Sequence, residues 1–126
     1  MYAAGNKCFT IDVFAGLQIA VICSVKGLRD FLRENWPDGG CQNDYMNIWN
    51  TSNGAVCMEM VDGVPYIFMM INEKRHRVVV HESVHCASLV MNQKGIPMSI
   101  DNDEVMAYLT DYIFSEVCRI VGLSTK

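Results

Sequence analysis

The chain has 126 residues, 51% hydrophobic and 19% charged, with a net charge of −4. That length suits one domain over residues 1–126, and the balance excludes a disordered tail. No basic stripe is available for a phosphate backbone, so nucleic acid is not an expected partner. No apolar run approaches the ~18 residues of a membrane span, so no membrane is expected either.

In chain order, residues 7–14 and 17–23 carry the Phe, Ile and Val content of two strands, joined at Ala15-Gly16. Ser24 is placed to cap a helix running to about residue 35, with Leu28, Phe31 and Leu32 on one face. Pro37-Asp38-Gly39-Gly40 ends it, and residues 41–53 are too polar and aperiodic for more than a loop with a short helix. Strands over 55–61 and 64–71 flank Asp62-Gly63, the signature of a hairpin. Asn72 is placed to cap a long helix to about residue 94, closed by Gly95 and Pro97, and Asp101 or Asn102 opens a last helix through 121. Met106, Leu109, Ile113, Val117 and Ile120 recur there at helical spacing as a core face. The order β, β, α, β, β, α, α predicts an α+β fold with a small antiparallel or mixed sheet.

Six cysteines, at 8, 23, 41, 57, 86 and 118, are widely spaced and form no C-x-x-C pair. The opening residues 1–7 lack a basic segment followed by an apolar core, so no secretory signal is read there. Free thiols in a reducing cytoplasm are therefore expected, with Cys86 a core residue rather than a ligand.

The three histidines fall at 76, 81 and 85. His76 sits in a charged stretch expected to be a solvated first turn. The other two frame His81-Glu82-Ser83-Val84-His85, an HExxH motif in the middle of the long predicted helix. Residues four apart project from one helix face, so two imidazoles there can bind one Zn²⁺ at ~2.0–2.1 Å each. The glutamate between them is placed to act on a water beside the metal. The preceding Val78-Val79-Val80 suggests that the histidines are buried. Eighteen residues after His85 stands Glu104, giving HExxH-x18-E, and the spacer holds a helix stop and a helix start. Asp101-x-x-Glu104 also has the form of a capping box, an alternative use of the same carboxylate.

This pattern resembles the gluzincin metallopeptidases, specifically over residues 72–117 and loosely before them. The resemblance implies a zincin-like fold, with the sheet packed on the HExxH helix and on a second, glutamate-bearing C-terminal helix. It implies Zn²⁺ as cofactor, His81, His85 and Glu104 as ligands, and Glu82 as the general base for peptide hydrolysis. It also implies that the strand before the HExxH helix is the sheet edge where a peptide adds as a further strand, which puts Tyr66, Ile67 and Phe68 against substrate. Pro65 suits such an edge.

The family's aspartate four residues after the third ligand is replaced by Tyr108. Tyr108 and Tyr112 follow Glu104 at one-turn intervals, so either hydroxyl is a candidate to polarise the substrate carbonyl; packing between helices is the other reading. Gly54-Ala55-Val56-Cys57-Met58-Glu59-Met60 is similar to the exopeptidase motif that binds a peptide amino terminus, without its closing asparagine. The chain is also similar to repressor-cleaving peptidases of mobile elements and to uncharacterised phage proteins. The expected partner is thus a peptide or protein substrate in a bacterial or phage-infected cytoplasm, and homo-oligomerisation stays open. The alternative is a catalytically silent zincin-fold protein that docks a host or phage protein.

Overall fold

The computed structural model describes residues 8–14, 17–40 and 42–125. The opening residues 1–7, the Ala15-Gly16 junction, Cys41, Lys126 and the side chains of residues 8–14 and of Val61 lie outside what is described.

Four strands form one mixed sheet in the order β1-β2-β4-β3. Strand β1 (Cys8–Phe14) runs antiparallel to β2 (Leu17–Ile22), with a register shift between Asp12 and Phe14. Strand β3 (Gly54–Val61) and β4 (Val64–Ile71) form the expected hairpin, closing at Val61↔Val64. Asp62 and Gly63 both take positive φ there (52° and 79°), the conformation that two-residue hairpin turns require and Asp-Gly supplies. The two hairpins join by parallel pairing of β2 with β4, Ile19–Ile22 against Ile67–Met70.

Helices cover both faces. Helix α1 (Val25–Asn35) starts where the Ser24 hydroxyl accepts from the Gly27 amide at 3.0 Å. It buries Leu28, Phe31 and Leu32. Helix α2 (Gln42–Thr51) occupies what the sequence suggests is mostly loop, and it buries only Tyr45 and Trp49, one turn apart. These side chains pack on Ala20, Ile22, Phe68 and Met70. The alternate residues Ile19, Val21, Ile67, Met69 and Ile71 point to the other face, against α3 (His76–Gln93) and α4 (Asp103–Val121). A 3₁₀ turn at Ile100–Asn102 leads into α4.

Helix α3 lies over β3 and β4, and α4 flanks it over β1. The two helices are antiparallel: His76, at the start of α3, donates to the Ser124 carbonyl beyond the end of α4. Met91, near the end of α3, shares a shallow hollow with Asp103 and Met106. Asn72 caps no helix; its amide donates to the Trp49 carbonyl at 2.7 Å, tying the end of β4 to the end of α2. Helix α3 begins four residues later, without a side-chain cap. Cys23, Cys57, Cys86 and Cys118 are free thiols, and Cys86 is in the core. Among the described residues no helix is long and apolar enough to cross a membrane.

The sheet order corrects one expectation. Strand β4 is not an edge: it is paired on one side by β2 and on the other by β3. Ile67 and Phe68 are buried on opposite faces, and the Tyr66 ring lies 6.4 Å from Trp36 on the α1/α2 side. None of the three is open to a peptide. Burial on both faces is why residues 67–71 are continuously apolar rather than alternating. The edge beside α3 is β3.

Candidate metal and catalytic site

Helix α3 is two-sided. Val78, Val79, Ser83, Cys86, Ala87, Val90 and Met91 face the sheet and α4, while Val80, His81, Val84 and His85 are exposed. The valine triplet thus straddles the boundary, and the histidines that follow it are on the surface, contrary to the burial expected. His81 and His85 meet there. Their Nε2 atoms stand 3.2 Å apart and their ring centroids 4.8 Å apart, at 73° to each other. Two nitrogens bound to one tetrahedral zinc at 2.0–2.1 Å are about 3.3 Å apart, so the pair fits one ion.

Glu82, a third of a turn round from His81, points inward. Only 7% exposed, it lies under the first residue of β3 and makes no hydrogen bond with the described residues. Burial raises its carboxyl above the usual value of 4.5, while the charges of His81 and His85 pull it back down. The close approach needs Gly54. A Cβ there would stand 2.9 Å from Val78 Cγ1, 3.0 Å from Glu82 Cγ and 3.2 Å from the Met70 carbonyl oxygen. Gly54 thus lets the edge strand press onto the helix, a requirement invisible in its one-residue context.

Two hollows meet over this spot, sharing Gly54, His81 and Glu82. One, of about 600 Å³, runs along the start of β3 past Ala55 and Val56, with His85, Ser88 and Leu89 on its helical side. The other, of about 480 Å³, lies toward the start of α3, walled by Val80, Val84, Arg77 and Asn53. The two hollows thus adjoin over His81 and Glu82.

The remaining expected residues stand elsewhere. Glu104 is exposed in the first turn of α4, and no third His, Cys, Asp or Glu among the described residues joins the histidine pair as a metal-holding group. The antiparallel hairpin is the reason: it sets the start of α4 level with the end of α3, and α4 lies on the side of α3 away from β3. Tyr108 (72% exposed) and Tyr112 (42% exposed) follow Glu104 along α4, and neither lines either hollow. Glu59 accepts from the Tyr45 hydroxyl on the α1/α2 face, away from the pair, so the motif at the start of β3 is not assembled for binding an amino terminus. His76 is exposed as expected, but it is tied to the Ser124 carbonyl and its ring lies 6.4 Å from Phe114.

No protein-family model, curated protein or solved structure matches this chain. What it does has to be argued from the site.

Proposed function

We propose that this protein is a zinc-dependent peptidase of zincin type, working where α3 faces the open edge of β3. The observation that carries the reading is the 3.2 Å separation of His81 and His85 Nε2, the span of one tetrahedral zinc, beside a buried carboxyl with no other partner. His81 and His85 would hold the metal. Zinc bound there supplies Lewis acidity toward a water and a substrate carbonyl.

The rest is done by the chain. Glu82, its carboxyl pKa raised by burial, takes a proton from a water in the shared part of the two hollows and returns it to the leaving amine. Among the described residues the outer edge of β3 is unpaired and offers main-chain donors and acceptors to an extended peptide, so β3 takes the role that the sequence assigns to Tyr66, Ile67 and Phe68. Glu104, the third ligand in the gluzincin reading, remains outside the donor set in this arrangement.

That same observation favours a second reading, a zincin-fold protein without turnover that docks a host or phage protein. Two protein donors make a weaker and less defined site than the three of catalytic zincs. Glu82→Gln separates the two. It leaves both histidines in place, so zinc content stays unchanged. For a peptidase, turnover of a library-selected peptide falls by at least ~10²-fold. Wild-type protein with stoichiometric zinc and no turnover on any library peptide would refute the peptidase.

A further inference from the structure

The hollow toward the start of α3 is built unlike its neighbour. Its wall is apolar, with Val80 and Val84 exposed to it, and it is lined by one arginine, Arg77, besides His81. Arg33, Arg75 and Arg119 are each engaged by a carboxylate, Asp30, Glu73 and Glu116 respectively. Among the described residues Arg77 and Arg29 have no such partner, although the chain carries 14 acidic residues against 10 basic ones, and of the two it is Arg77 that lines this hollow. It stands four positions before His81, hence about one turn away on the same side of α3. Glu82, 7% exposed and without a hydrogen bond, lines the other end of the same hollow.

We propose that Arg77 is the specificity residue of this site and that the hollow takes the part of a peptide that carries a carboxylate, on one side of the bond placed over His81 and Glu82. This rests on the peptidase reading above for the bond, but not for the carboxylate. A planar guanidinium without a protein acceptor is suited to grip a carboxylate through two parallel hydrogen bonds. Val80 and Val84 between them suit an apolar side chain. The distance of about one helical turn allows one or two residues between the anion and the scissile bond. The carboxylate can be a chain terminus or an Asp or Glu side chain, and the chemistry of recognition is the same.

The experiment is an NMR titration of metal-free ¹⁵N-labelled protein with N-acetyl-alanyl-leucine as the free acid and as its amide. A second pair, N-acetyl-alanyl-glutamate amide and N-acetyl-alanyl-glutamine amide, tests the side-chain source. At least one acidic member should bind about tenfold more tightly than its neutral partner, with shifts concentrated over residues 77–84. Arg77→Ala should reduce that ratio to within about twofold, and Arg77→Lys should keep part of it, since the charge remains but the fork is lost. Arg77 is exposed in the first turn, so both variants should keep the wild-type melting temperature. Equal binding of both members in both pairs, or a preference that survives Arg77→Ala, overturns the proposal. The same four peptides given to zinc-loaded protein separate it from the reading it rests on. Acid-selective binding by zinc-loaded protein that turns over no library peptide refutes the peptidase and keeps the carboxylate site, whereas turnover without acid preference refutes only the site.

Discussion

Gly54→Ala tests the contact on which the site depends. The new methyl would stand 2.9 Å from Val78 Cγ1, 3.0 Å from Glu82 Cγ and 3.2 Å from the Met70 carbonyl oxygen. Val78 is β-branched, helical and buried, so it has little rotamer freedom to retreat. The Met70 oxygen belongs to β4, held between two strands. Only the Glu82 side chain can give way, and moving it displaces the proposed base. Overpacking of this kind costs about 1–3 kcal/mol, and the stiffer unfolded chain returns about 0.4–1 kcal/mol. A net loss of about 1–2 kcal/mol is expected, a fall in melting temperature of about 3–10 °C for a domain of this size. The conformation of Gly54 adds nothing, because its φ is not in the left-handed region. Gly40→Ala is the control: nothing lies nearer than 3.5 Å to a Cβ there, and its melt should stay within about 2 °C of wild type. The assay is thermal denaturation followed by circular dichroism, paired with an NMR titration of the Glu82 carboxyl, whose pKa should move back toward 4.5 as the strand lifts and water reaches it. A melt and a titration both unchanged from wild type would show that β3 does not press on α3 at this point.

Two further outcomes are expected. His81→Ala and His85→Ala should each abolish stoichiometric zinc, while Glu104→Gln should leave zinc affinity within about threefold; a loss of tenfold or more there would place the first turn of α4 against the pair, which the antiparallel hairpin excludes. In metal-free protein the raised pKa of Glu82 gives stability a definite sign: its contribution is complete below the unfolded value near 4.5 and is lost as pH rises through the folded value. Glu82→Gln should therefore melt above wild type at pH 7 to 8, with the gap closing toward pH 4, and a gap independent of pH would contradict the burial of that carboxyl.

How much of this was legible in the sequence differs from element to element. Both hairpins, α1 with its Ser24 cap, and α3 and α4 each follow from local signals, because their periodicity and turn residues agree with their final environment. Helix α2 does not: Tyr45 and Trp49 are its only fully buried residues, with Met46 and Ile48 half-buried beside them, too few for a clear periodic stripe. The start of α3 is misjudged because Asn72 spends its amide on Trp49 and Ser52 carbonyls rather than on a cap, a contact 20 or more residues distant in sequence. The order of the sheet was half available. The unbroken apolar run over residues 67–71 is the pattern of a strand buried on both faces, and it outweighs Pro65, which lies just outside the stretch that pairs with β2. In the site, the histidine pair follows from spacing alone, since i and i+4 are set by the helix itself. The Glu104 geometry depends on how α4 packs, which no local pattern specifies. Gly54 and Arg77 gain their meaning only from what the fold sets beside them.

Glu82 is where the local rules and the fold disagree, and that disagreement is the strongest physical argument for a function at this spot. The inward positions around it on α3 are Val78, Val79, Cys86, Val90 and Met91, and an aliphatic residue at 82 would complete that stripe. Instead a carboxyl stands there, 7% exposed and without a protein hydrogen bond, its oxygens opening to the two hollows, at a position where burial raises its pKa. The imidazoles of His81 and His85 are its nearest electrostatic relief, and they lie on the solvent side, where a ligand can reach all three groups at once. A carboxyl that interrupts an apolar stripe and converges with two imidazoles on an accessible hollow is the arrangement that supports the proposed reaction at this spot.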